Sequence, residues 1–173
     1  MSYYNAIIER LRTLEISFEE ISHEPTTSCE HSQQLRENAG WKCVGSKNII
    51  FHAKGKFYLV TTLGVKDIKA RKFKKPFGTK DIRFATQEEI TNIQLGTIGS
   101  IAPFGFANAE IPIFVDSEIY DFEYFAFNPA HPQKSIKIHT QDLKKIYDSL
   151  QNPVQYFRIT DEEITFSDSP IIL

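Results

Sequence analysis

Residues 48–62 constrain the fold most. Asn48-Ile-Ile-Phe-His-Ala and Lys56-Phe-Tyr-Leu-Val-Thr-Thr are both rich in β-branched and aromatic residues, and only Lys54-Gly55 separates them. Two such runs joined by a short glycine-containing link form a β-hairpin.

The rest of the chain alternates irregularly between helical and strand patterns. Tyr4, Ile7, Ile8, Leu11 and Leu14 recur at helical spacing and predict an amphipathic helix over 2–14. A short strand is expected at 17–21 and a loop at 22–26. Thr27-Ser-Cys-Glu30 then has the form of a capping box opening a helix to about Asn38, with Gly40 as its stop. After the hairpin, a basic segment forms a short helix ending near Pro76, because the residue before a proline avoids the α region. Further strands are expected at 81–85, 111–115, 124–128, 135–138, 154–159 and 163–167. Thr86-x-x-Glu89 is a second capping box, and Thr140 caps a last helix through Leu150. No repeat or linker divides the chain. The pattern predicts one α+β domain with a single mixed, largely antiparallel, barrel-like sheet flanked by helices.

Composition narrows the class. The chain has 173 residues, enough for one domain with a real core. Two cysteines, Cys29 and Cys43, are too few for a disulfide framework and fit a reduced, cytoplasmic protein. The N-terminus lacks the basic and apolar regions of a signal peptide, and no apolar run is long enough to span a bilayer, so no membrane partner is expected. Net charge is −2, yet Lys66, Lys69, Arg71, Lys72, Lys74 and Lys75 fall close together, opposed only by Asp67. Such a stripe, with Lys69, Arg71, Lys72, Lys74 and Lys75 as its core, suits contact with a few phosphates; a solvated helix face is the alternative.

Two features could carry chemistry. The segment 95–108, LGTIGSIAPFGFAN, combines glycines, a proline and apolar residues without helical or strand periodicity. Its exposed amides could hold a carbonyl or a developing oxyanion; alternatively, Ile101 and Phe104 merely fill the core under a tight connection. Lys47 opens the hairpin's first strand, where its ammonium can serve as a point charge at the sheet end or simply snorkel to water. The five histidines and two cysteines show no C-x2-C, H-x3-H or HExxH spacing, so no metal and no cofactor is expected. There is no nucleophile elbow, phosphate-binding P-loop or dinucleotide fingerprint.

Several segments nevertheless occur in a telling order. Ser46-Lys-Asn-Ile-Ile-Phe, Gly55-Lys-Phe-Tyr-Leu-Val, Ile82-Arg-Phe-Ala-Thr-Gln-Glu-Glu, Gly99-Ser-Ile-Ala-Pro103-Phe-Gly and Phe127-Asn-Pro…Ser135-Ile-Lys-Ile together resemble the YbaK/prolyl-tRNA-synthetase-associated editing domain. The resemblance covers roughly residues 3–150; residues 1–150 are expected as the editing domain, with 151–173 as an extension packed on it. It implies a cleft for the aminoacylated 3′-terminal adenosine of tRNA and a trans-editing hydrolase that removes a small amino acid such as Ala, Cys or Ser from mischarged tRNA(Pro).

The family's critical lysine falls on Lys47, and its Gly-x-x-x-Pro loop on Gly99-Ser100-Ile101-Ala102-Pro103. The resemblance implies catalytic roles for Lys47, Gly99 and Ser100, through positioning and carbonyl polarisation with attack by water. Substrate contacts are expected from Asn48 (as in members that remove alanine), Ile101, Ala102, Pro103, Asn128 and His131. Asn128 stands where many members have histidine; it can hydrogen-bond a substrate but cannot carry a proton at neutral pH. The expected partners are the acceptor end of aminoacyl-tRNA and an aminoacyl-tRNA synthetase. A non-catalytic tRNA- or synthetase-binding module of the same fold is the rival reading.

Overall fold

A computed structural model describes residues 2–173. Helix α1 spans Tyr3–Thr13, with the Ser2 hydroxyl accepting from the Asn5 amide at its start, and buries Ile7, Ile8 and Leu11. Strand β1 is Glu19–Ser22. Helix α2, Cys29–Asn38, begins one residue later than the sequence pattern predicts. Ser28, not Thr27, is its N-cap: the Ser28 hydroxyl accepts from the His31 amide at 3.0 Å, while the Thr27 amide donates to His31 Nδ1.

The hairpin forms as predicted, from Val44–Ala53 (β2) and Lys56–Leu63 (β3). Ala53 pairs with Lys56, and Lys54 and Gly55 both take positive φ. That geometry matches the right-handed twist of the flanking strands.

The basic segment is not one helix but a 3-10 turn, Ala70–Phe73, running into a single helical turn, Lys74–Phe77 (α3). Pro76 lies within that turn, and left-handed Gly78 ends it. Ile82–Phe84 (β4) precedes α4, Gln87–Asn92, whose capping box forms as read, with Thr86 and Glu89 bonding reciprocally. Ile113–Asp116 (β5), Tyr124–Phe127 (β6) and Lys134–His139 (β7) follow. Helix α5, Thr140–Asp148, is capped at His139 rather than Thr140. The Thr140 hydroxyl instead donates to the Phe122 carbonyl at 2.7 Å, because the turn after the 3-10 segment Ser117–Asp121 passes beside it. Val154–Thr160 (β8) and Glu163–Ser167 (β9) complete the chain's strands.

All nine strands join one sheet in the order β1-β7-β6-β2-β3-β5-β8-β9, with β4 also on β2. Five pairs are antiparallel: β1/β7, β2/β3, β2/β4, β6/β7 and β8/β9. Three are parallel: β2/β6, β3/β5 and β5/β8. The pairing path runs from β1 to β9 without closing on itself.

Both faces of the central strands are buried. Ile50, Leu59, Ile113, Val115 and Tyr156 enter one core with α1, α4 and α5; Ile49, Phe51, Tyr58, Val60, Phe114 and Phe157 enter a second core under Phe73 and Phe77. A sheet covered on two sides needs apolar residues at consecutive positions, which is why β2 and β3 read as continuous runs. The basic segment thus has a structural duty, since its two phenylalanines roof the second core.

Candidate active site

A cleft of about 220 Å³ opens where the N-terminal end of α2, the start of β2 and the 95–108 loop meet. Ser46, Lys47 and Asn48 form one wall, Gly99 and Ile101 another. Thr27, Ser28, Cys29 and Ser32 close it from α2, and Asn128 from the end of β6.

Lys47 pairs in register with Thr62 on β3, and its half-buried ammonium donates to the Lys66 carbonyl at 3.2 Å. That bond uses one of three N–H donors. No carboxylate pairs with Lys47 among the described residues, so a lysine that lines the cleft carries a charge without a counter-ion. The neighbouring Lys66 is different: its ammonium lies 2.7 Å from both Asp116 and Glu118. Burial works to lower the Lys66 pKa, but the hydrogen bonds and charges of the two acids outweigh it and leave it raised. Asp116 and Glu118 are therefore committed to Lys66.

Asn48 fastens the loop to the sheet. Its Nδ2 donates to the Ile101 carbonyl at 2.9 Å and to Ser46 Oγ at 3.2 Å, while its Oδ1 accepts from the Thr61 hydroxyl at 2.8 Å. Ile101, Ala102 and Phe104 are buried in the first core, and Tyr147 Oη donates to the Pro103 carbonyl. The loop's second half is thus an anchor, and its first half is what the cleft sees. Gly99 sits at φ +96° with open space where a Cβ would be, so glycine there serves the backbone conformation and not a tight contact.

Of the residues singled out from the sequence, Lys47, Asn48, Gly99, Ile101 and Asn128 come together around the cleft. Ala102 and Pro103 lie buried behind it. The Ser100 amide is already committed, donating to the Thr97 carbonyl at 3.0 Å, and its hydroxyl turns to the same carbonyl. That amide is therefore not free for the carbonyl-orienting role expected of it. His131 stands outside the cleft lining, its ring edge-on to Tyr4 at 5.9 Å and its Nδ1 accepting from the Gln133 amide. In the basic segment, Lys69, Arg71, Lys74 and Lys75 are exposed, whereas Lys72 Nζ is bonded to the Glu162 carbonyl.

Asn128 is held on all sides. Its Oδ1 accepts from Arg36 Nη2 at 3.3 Å, and its Nδ2 donates to the carbonyls of Lys134 and His131. Arg36 Nε in turn donates to Ser135 Oγ at 3.1 Å, and that hydroxyl lies 2.9 Å from His23 Nε2. Burial lowers the Arg36 pKa, with the nearby Cys43 and Cys29 thiols opposing. The Cys43 thiol is itself pushed up by burial, against the pull of Arg36 and Lys137.

Sequence reading missed the contribution of α2. Its buried residues are Ser32 and Arg36, four apart, so its inward face is polar. A helix with a polar inner face covers a site and not a core; the signal was the scarcity of apolar residues from 29 to 38, where only Leu35 and the Cys29 thiol depart from polarity. No cluster of three or more His, Cys, Asp or Glu side chains capable of holding a metal occurs among the described residues, and no helix there is long and apolar enough to cross a membrane.

The mixed sheet and its flanking helices are shared with solved proteins. One, assigned as a trans-editing enzyme for prolyl tRNA synthetase, superposes with a TM-score of 0.69 at 16% identity, covering 89% of this chain and 95% of that one. The hypothetical protein APE2540 gives the same TM-score and identity over 86% of this chain and 96% of its own. At such identity these likenesses establish the fold. In sequence, the prolyl-tRNA editing protein ProX of Acetoanaerobium sticklandii is 26% identical over 152 residues, 84% of this chain and 91% of the relative. The proline–tRNA ligase of Staphylococcus aureus is 36% identical over 75 residues, which is 43% of this chain but only 13% of the ligase.

The class is therefore an editing-type mixed α+β domain. The aminoacyl-tRNA editing domain family matches residues 23–146, and the chain belongs to that family. Its activity is that of an aminoacyl-tRNA deacylase.

Proposed function

We propose that this protein acts in trans, in the cytoplasm, to remove a small amino acid such as Ala, Cys or Ser from mischarged tRNA(Pro). The similarity to a prolyl-tRNA editing protein and to part of a proline–tRNA ligase supports the choice of tRNA, and suggests the synthetase as a second partner. A cleft of about 220 Å³ suits a small aminoacyl group. The observation that carries the mechanism is that Lys47, with no carboxylate partner among the described residues, and Gly99 line the same cleft, whose lining contains no acid–base dyad.

An aminoacyl ester is already activated, so positioning and carbonyl polarisation go far toward its hydrolysis. Lys47 holds the ester carbonyl, and the amides at Gly99 and Ile101 supply further donors as negative charge grows on that oxygen. Water attacks the carbonyl carbon, the carbon–ribose oxygen bond breaks, and the ribose oxygen leaves with a proton relayed through its neighbouring hydroxyl. Asn48 and Asn128 line the cleft as hydrogen-bonding walls. The exposed Lys69, Arg71, Lys74 and Lys75 follow acceptor-stem phosphates. Residues 1–150 form the editing unit, and 151–173 add strands to its sheet.

A deacylation panel tests this. With Ala-, Cys-, Ser- and Pro-tRNA(Pro), the parent is expected to release the small non-cognate residues and spare proline, and Lys47→Ala to lose that activity while keeping its melting profile. Ester loss no faster than in buffer for every substrate would return the chain to a non-catalytic binding module.

A further inference from the structure

Beside the Lys47 cleft, and sharing Cys29 and Ser46 with it, lies a second pocket of about 340 Å³ between α2 and the β2–β3 strands. Arg36 forms its inner wall. That guanidinium is 2% exposed, yet it meets only neutral oxygens, Ser135 Oγ and Asn128 Oδ1. Its Nη1 donates to no acceptor among the described residues. The other buried arginine, Arg158, shows what is missing: it is 5% exposed and forks onto both oxygens of Asp121 at 3.0 and 2.8 Å. Burying a cation without a counter-charge is costly, and the cost is relieved when an anion arrives.

Neighbouring groups do not supply that anion. The Cys43 thiol is pushed up by burial and so stays protonated at neutral pH. Glu37 reaches the rim of the pocket, but it is exposed and its carboxylate accepts from Gln33. Gly45 leaves room for the arrangement: a Cβ there would stand 2.5 Å from Arg36 Nη1, so a larger residue would push the guanidinium off β2.

We propose that this pocket is a phosphate subsite in which Arg36 Nη1 binds the phosphodiester of the substrate's 3′-terminal nucleotide, leaving Lys47 free for the ester carbonyl. The proposal rests on the deacylase reading above. A guanidinium is suited to the task because its planar donors match phosphate oxygens, and it stays charged at any working pH. The division of labour also explains why two cations, neither paired with an acid, line adjoining pockets that share Cys29 and Ser46.

The test has two arms on the full chain. In the first, inorganic phosphate is titrated into the labelled parent protein while the Arg36 Nε–H and Gly45 amide resonances are followed; both are expected to shift saturably, and an absence of shift at millimolar phosphate overturns the proposal without any variant. In the second, binding is measured for a non-hydrolysable 3′-alanylamido-adenosine with and without a 5′-phosphate. The phosphate is expected to tighten binding about tenfold in the parent, the gain of one charge-assisted hydrogen bond. Arg36→Gln should erase that gain, read as the ratio of the two analogues' affinities within the variant so that any change in the Asn128 wall cancels, while Arg36→Lys should keep part of it. If the unphosphorylated analogue binds but phosphate adds nothing, or the gain survives in Arg36→Gln, the subsite is refuted and the deacylase reading stands. If neither analogue binds while inorganic phosphate still moves Arg36, the phosphate site stands and the deacylase reading falls.

Discussion

Replacing Asn48 by alanine removes the bridge that joins the glycine loop to the sheet. The Asn48 amide makes three hydrogen bonds, to the Ile101 carbonyl, Ser46 Oγ and the Thr61 hydroxyl, all partly buried. Each is worth about 1 kcal/mol net, and two partners, the Ile101 carbonyl and the Thr61 hydroxyl, are left beside a cavity, so a loss of about 2–3 kcal/mol is expected. For a chain of this size that lowers the melting temperature by roughly 5–10 °C. The loop's buried half, anchored by Ile101, Ala102 and Phe104 in the core, keeps the segment folded, but its cleft-facing half is no longer fixed against β2. A displacement of about 1 Å at a positioning group can cost on the order of 100-fold in rate. Calorimetry together with single-turnover deacylation of Ala-tRNA(Pro) reads both effects. Asn48→Asp is the matched control: it can still accept from Thr61, but it sets a carboxylate oxygen against the Ile101 carbonyl, and it should lose at least as much activity. A variant that melts within a degree of the parent and deacylates at the parental rate would refute the bridging role.

Two further predictions concern charge. Lys74 and Lys75 are exposed and free of acidic partners among the described residues; replacing both by alanine should weaken all charged tRNAs alike and make the slope of log K against log salt shallower by about 1.5, and an unchanged slope would return them to a solvated surface. The hydrogen bond from Arg83, with the Thr86 amide, holds the Glu89 carboxyl down at about 2 from its ordinary 4.5. A carboxyl lowered in the folded state stabilises it above the unfolded value, and that stabilisation is lost as pH falls from 4.5 toward 2. Glu89→Gln should therefore flatten this acid limb in melts taken across that range; superimposable limbs for parent and variant would exclude the effect.

Local chemistry made much of the fold legible. The Lys54-Gly55 turn, the Thr86–Glu89 capping box and the helical spacing of Ile7, Ile8 and Leu11 each depend on neighbours within a few residues, and each formed as read. The caps of α2 and α5 each moved by one residue: at α2 the adjacent Ser28 hydroxyl takes the cap while Thr27 turns to His31, and at α5 the Thr140 hydroxyl is drawn to a partner distant in sequence. Thr140 is the clear case, since its hydroxyl is drawn to Phe122 from a separate segment. The basic segment misled in another way. Its lysines suggested a regular helix, but Phe73 and Phe77 must reach the second core, and a 3-10 turn followed by one helical turn delivers them.

What the sequence by itself determined was the mixed α+β class, the hairpin at its centre, and the candidacy of Lys47 and the Gly99 loop. Those features are carried by residues whose propensities or order along the chain persist without a partner. Only the tertiary structure decided which of them share a cleft, that the Ser100 amide is already committed to Thr97, and that His131 turns away toward Tyr4. It also brought Arg36 from a polar helix to a pocket wall without a counter-charge. Charge balance of this kind depends on which side chains meet across 92 or 99 residues of intervening chain, and no local pattern encodes that meeting.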